Sequence, residues 1–249
     1  MMMKPPDTAL LDADIIAYKA ACWADSNNAS VKNLLERLIF DVKYWTPPGI
    51  HKSILAFSCS RASNFRKDHW PSYKDNRKGK PSPSFLPVCK DILMSKYSHV
   101  ERDRLEADDL LGIGMSSETV IGVSLDKDLM SCPGWFWNPD KMDFPCYISK
   151  QSADYWFHKQ WLMGDSTDNI PGIPKVGKVK ASKILDAVSP TNWGPVVMKN
   201  YEEKGFDLDY CLSQARCVRI LRDGEWDKQT GIPQAWAPEW TLTPESKRD

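Results

Sequence analysis

Two short apolar runs in this chain end at an aspartate. Residues 8–11, TALL, are followed by Asp12, and residues 119–125, TVIGVSL, run straight into Asp126. A short apolar run with little polar alternation suits a strand buried on both faces. SILAF at 53–57 is a third such run. Stretches of helical character separate them. They are 15–23, then 31–45 with Leu34, Leu35, Leu38, Ile39, Val42 and Trp45 at helical spacing, 85–97 and 105–115. Strands alternating with helices predict a mostly parallel α/β sheet. Such sheets bind ligands at the carboxyl ends of their strands, where Asp12 and Asp126 fall.

From about residue 150 the pattern turns mainly helical, through SADYWFHKQWLMG, VKASKILDAV and DLDYCLSQARCVRILRDG. This predicts an α/β domain over 1–150 and a helical domain over 151–249, with the Pro-rich tail QAWAPEWTLTPESKRD as coil. At 249 residues the chain can bury a full core.

Formal net charge is zero, so the total gives no sign of a polyanionic partner, but the distribution does. Residues 61–80 hold seven Lys/Arg against two Asp, and 172–183 hold four Lys and no acid. Seven scattered cysteines without a CxxC pair suggest buried thiols in a reducing compartment. Asp7, Asp12 and Asp14 interrupt any apolar leader, and no run has the length of a membrane span. The expectation is a cytoplasmic, non-membrane protein.

The acids cluster. Glu106 and Asp109 in LEADDLL share a helical face, with Asp108 adjacent. Asp126 and Asp128 alternate in SLDKDLM, and Asp165 and Asp168 in MGDSTDNI are again three apart. Any one cluster also reads as solvated acids at a helix start. Four together, two at strand exits, would repel without a cation. Oxygen-only ligands without His or Cys suit Mg²⁺ or Mn²⁺, and two such ions can assist phosphodiester hydrolysis.

NFRKDHWPSYKDNRKGK interleaves cations with Phe65, Trp70 and Tyr73, as a nucleic-acid contact or a soluble surface loop would. In GIPKVGK, Gly172 and Gly177 allow tight turning, the next helix can offer amides to a phosphate, and Lys175, Lys178, Lys180 and Lys183 add charge.

Taken in order, LLDAD, NFRKDHWPSYKDNRKGK, LEADDLL, SLDKDL, MGDSTDNIPGIPKVGKVKA and LSQARCVRILRDGEWD resemble the 5′-nuclease superfamily of flap endonucleases and 5′→3′ exonucleases. The nearest likeness is to podovirus-type phage exonucleases, and it spans residues 8 to about 227. The resemblance implies a PIN-like nuclease domain with a helical arch at about 60–95 and a helix–three-turn–helix element in the C-terminal domain. It implies metal ligands at Asp12, Glu106, Asp108, Asp109, Asp126, Asp128, Asp165 and Asp168, holding two or more Mg²⁺ or Mn²⁺ ions. Lys74 and Arg77 would act on the scissile phosphate beside Tyr73 as a stacking residue. Arg66, Lys67, Lys78, Gly172, Lys175, Gly177, Lys178 and Lys180 would contact DNA, with K⁺ in the turn near 172–177.

The implied activity is metal-dependent 5′→3′ exonuclease or flap endonuclease cleavage of DNA at free 5′ ends, nicks or flaps. The products would carry 5′-phosphates and leave 3′-hydroxyls. The implied protein is a monomer working in a host cytoplasm if of phage origin, with RNA–DNA hybrid a further substrate. Two departures stand out. Cys59 or a serine occupies the place of an aspartate common after the second strand, and Lys175 and Val179 depart from the GIxGIGxK turn. A non-catalytic DNA end-binding protein and a PIN-type ribonuclease are the alternatives.

Overall fold

The computed structural model describes residues 5–238; residues 1–4 and the end of the predicted coil, 239–249, lie outside them. One six-stranded sheet comprises β1 (Thr8–Asp12), β2 (Lys52–Phe57), β3 (His99–Glu101), β4 (Val120–Val123), β5 (Gly134–Trp137) and β6 (Cys146–Ile148). Its order is β3-β2-β1-β4-β5-β6. The first five strands are parallel and β6 runs antiparallel to β5, so the α/β, mostly parallel expectation holds.

Side chains of β1 alternate between two layers, as a pleated strand requires. Ala9 and Leu11 pack with α1 (Ala13–Asn27), α2 (Val31–Trp45) and α4 (Leu86–Lys96). Leu10 faces the other way, onto α5 (Ala107–Met115). The predicted helix at 31–45 has the bounds of α2, whose Ser30 accepts a capping bond from Asn33 N. Strands β3, β5 and β6 are three or four residues long and were not predicted. Runs that short carry no readable period.

The segment 60–95, expected as a helical arch, is not one continuous helix. It contains α3 (Arg66–His69), a single 3₁₀ turn at Asp75–Arg77 and then α4, which is packed on α1 and α2. Serine, proline and glycine between 79 and 84 prevent a continuous helix.

Helices α6 (Lys150–Met163), α7 (Lys178–Asp186), α8 (Trp193–Glu202) and α9 (Leu208–Val218) surround a second core. There the Trp161 indole donates to the Cys211 carbonyl at 2.9 Å, and the Tyr201 hydroxyl donates to the Trp161 carbonyl at 2.6 Å. Beyond α9 the chain returns to the first unit. Ile220 and Leu221 join the core around α5, and Arg222 donates to the Ser131 carbonyl. The seven cysteines are free thiols. Among the described residues no helix is long and apolar enough to cross a membrane.

Candidate active site

The strand order reverses between β1 and β4: the chain winds outward from β1 to β3, then from β4 to β6 on the other side. A crevice opens at the carboxyl ends of strands at such a point. Here it is a cavity of about 610 Å³. Asp12 ends β1 and caps α1 by accepting from Ile15 N. Asp126 follows β4 and accepts from Asp128 N at 2.8 Å. Glu106 and Asp108 come from the start of α5, and Asp165 and Asp168 from a 3₁₀ turn after α6. All of these, with Asp128, line the cavity.

Their electrostatics divide them. Burial, reinforced by Asp14 and Asp126, pushes Asp12 up to about 7. Burial and Asp126 push Asp128 up to about 7 as well. Asp108 is raised well above the usual range by burial and by Asp126, Asp12 and Glu106. On Glu106 burial also acts upward and is the largest single influence. Lys74, Arg66 and the Tyr73 hydroxyl together outweigh it and hold the group down at about 2.

A hard divalent cation would relieve the repulsion among Asp12, Asp108, Asp126 and Asp128. The donors are all oxygen, and the buried Asp128 Oδ1 has no hydrogen-bond partner, so the residues suit such an ion. Yet among the described residues no three side chains converge tightly enough to hold a metal as they stand. Protein cations take up part of the charge. Lys74 Nζ lies 2.6 Å from Glu106 Oε1 and 3.5 Å from Asp168 Oδ2, and Arg77 pairs with Asp168.

Four residues predicted for the site have other tasks. Arg66 is not a DNA contact: it is 2% exposed and grips Asp109 with two hydrogen bonds of 2.7 Å. Asp109 is therefore not a free metal ligand. Its oxygens also accept from Glu106 N and Leu221 N, tying α5 to the chain beyond α9. Tyr73, also 2% exposed, cannot stack on a base. Its hydroxyl donates to Glu106 Oε2 at 2.7 Å and lies 3.1 Å from Asp168 Oδ2. Gly172 is buried, and a Cβ there would stand 2.3 Å from Gly164 N, so its role is the close packing of its turn.

The other basic residues are more open. Lys67 and Lys78 both pair with Asp75. Lys175, Gly177, Lys178 and Lys180 are exposed along the turn and the start of α7.

Three neighbours were not predicted. Asp14 lines the cavity and accepts from Ser58 N at 2.9 Å, placing a carboxylate beside the Ser58–Cys59 stretch where an aspartate was missed. Its signal was present, since Asp12 and Asp14 are two apart at a strand exit. Ser124 donates to Asp12 Oδ2 at 2.8 Å, and Lys127 lines the cavity. A lone serine or lysine carries no such signal.

No protein-family model matches the chain. It is 31% identical over 211 residues to a DNA polymerase I of Rhizobium leguminosarum, covering 78% of this chain but only 19% of that protein. It is 27% identical over 228 residues to an exodeoxyribonuclease of Enterobacteria phage T3, covering 79% of this chain and 72% of the relative. Among solved structures, the T5 D15 protein co-crystallised with metal ions superposes with a TM-score of 0.65. That match is 14% identical and covers 87% of this chain and 90% of the other. The fold is therefore that of the T5 protein, and with the phage and bacterial sequence relatives the chain falls within the 5′-nuclease superfamily, near its phage exonucleases.

Proposed function

We propose that the chain is a metal-dependent 5′→3′ exonuclease or flap endonuclease acting on DNA with a free 5′ end, a nick or a flap. The observation that carries this is the convergence of Asp12, Asp108, Asp126, Asp128, Asp165 and Asp168 on one cavity that Lys74 and Arg77 also line. Carboxylates at a strand-order reversal, with cations beside them, are what a phosphodiester needs to be held and hydrolysed.

In this reading Asp12, Asp108, Asp126 and Asp128 would hold Mg²⁺ or Mn²⁺, with Asp165 and Asp168 lining the same cavity. Bound there, the ions neutralise phosphate charge and lower the pKa of water. Lys74 and Arg77 leave Glu106 and Asp168 to bind phosphate oxygens of the substrate. Tyr73 and Arg66 hold Glu106 in place, so that Lys74 starts from a fixed position. α6, the 164–177 turn and α7 form the helix–three-turn–helix, with Lys175, Lys178 and Lys180 along the duplex backbone. Binding there is sequence-blind and falls with salt. The products carry 5′-phosphates.

The test uses nicked duplex labelled on the 5′ end that the nick exposes, incubated with Mg²⁺ or with EDTA. Mg²⁺-dependent short 5′ products that disappear in Asp126→Asn, with DNA binding in Ca²⁺ retained, are expected. Binding without cleavage in every metal would leave a DNA end-binding protein instead.

A further inference from the structure

A second cavity, of about 580 Å³, lies between α6 and the turn that leads into α7. Lys127, Asp128, Asp165 and Thr167 line both it and the carboxylate cavity, so the two are continuous. Its character differs: among the described residues the shared Asp128 and Asp165 are its only lining acids, Lys159 and Lys178 join the shared Lys127, and Met163, Ile170 and Pro171 add an apolar surface.

Lys159 is the unusual member. It is 9% exposed, and among the described residues no carboxylate pairs with it. Its ammonium lies 5.9 Å from the ring centres of both Tyr155 and Trp156. A buried lysine normally has an anionic partner. Two further groups on this wall lack partners. Gln160 is 5% exposed, and its Oε1 is buried without a donor; the Trp156 indole N–H is buried without an acceptor. Lys178 opens α7, whose first turn has no acid and whose cap residue Gly177 makes no side-chain bond, so its leading amides add positive potential. Charge, a free N–H, a free carbonyl and an indole on one wall match a nucleotide, with phosphate, base edge and base face.

We propose that this cavity is a nucleotide subsite: it takes one nucleotide of the DNA strand that continues from the carboxylates toward α7. Lys159 and the Trp156 N–H hold its phosphate, and Gln160 accepts from its base or sugar. The assignment rests on the nuclease reading above and adds a subsite to it. Asp128 and Asp165 stand at the shared rim, so the phosphate sits inward of them, toward Lys159.

The test measures binding of nicked duplex in Ca²⁺ at several salt concentrations, for the wild type, Lys159→Met and Trp156→Phe. Lys159→Met keeps side-chain volume nearly constant, Trp156→Phe removes the N–H together with part of the ring, and thermal melting establishes that both fold. Lys159→Met is expected to weaken binding by roughly ten- to a hundredfold. It should also reduce the slope of log affinity against log salt by about one, which a purely structural role would not do. Trp156→Phe should weaken binding with the slope kept, because a neutral donor displaces no counterion. A single methylphosphonate at the matching linkage should reproduce the Lys159→Met loss and not add to it. A wild-type slope in Lys159→Met overturns the subsite. Competition by free dTMP that Lys159→Met abolishes, with the DNA slope unchanged, would assign the cavity to a free mononucleotide and overturn the strand assignment. Failure of the wild type to bind nicked duplex at all would sink the nuclease reading itself.

Discussion

The Arg66 guanidinium meets the Asp109 carboxylate face to face, through two parallel hydrogen bonds of 2.7 Å inside the protein. Arg66 also donates to the carbonyls of Cys217 and Arg219. The basic segment, α5 and the chain beyond α9 thus meet at one fork-shaped pair.

Removing one partner of that pair leaves a buried charge unmatched. Arg66→Met and Asp109→Asn should each lose about 3–5 kcal/mol of stability, read from urea denaturation. An Arg66→Met protein with wild-type stability but weakened DNA binding would return Arg66 to the phosphate track.

Lys74 Nζ is only 2.6 Å from Glu106, yet in the proposed reaction it turns to the phosphate. Lys74→Met should lower single-turnover cleavage by at least about a hundredfold, the scale of a lost transition-state donor. Affinity for nicked duplex in Ca²⁺ should change far less. Equal losses in both would make Lys74 a binding residue alone.

The metal-free protein should be less stable at pH 8 than at pH 5.5. Burial and neighbouring acids raise Asp12 and Asp128 to about 7, so between their ordinary values and about 7 the folded state holds more protons than the unfolded one. Stability therefore falls as pH rises through that window. In EDTA, Asp12→Asn should melt several degrees above the wild type at pH 8 and differ little at pH 4. Mg²⁺ should raise the wild-type melting temperature at pH 8 and lose most of that effect in the variant. A pH-independent difference between wild type and variant would mean that Asp12 does not carry the strain.

Gly172 and Gly177 should behave differently although they are five residues apart. Gly172 has φ +61°, and its Cβ would overlap the backbone of Met163 and Gly164. Gly172→Ala should cost at least about 1–3 kcal/mol. Around Gly177 nothing lies within 4 Å, and Gly177→Ala should cost no more than about 1 kcal/mol as a poorer cap. Comparable melting temperatures for the two variants would refute the packing role of Gly172.

Much of the α/β unit was determined by the sequence alone. The apolar runs at 8–11, 53–57 and 119–125 became β1, β2 and β4, and the leucine spacing at 31–45 became α2. Strand exits also marked Asp12 and Asp126, because a parallel sheet leaves its ligands nowhere else to bind. The short strands β3, β5 and β6 needed neighbours to exist, since three or four residues gain order only by pairing. What a charged residue faces was decided by tertiary structure. Arg66 and Lys74 stand in one basic stretch, and Asp108 and Asp109 are adjacent. One of each pair is locked into a buried bridge while the other lines the cavity. Composition gives each residue its charge, but only the packing of α5 against the chain beyond α9 selects the carboxylate that is neutralised within the protein.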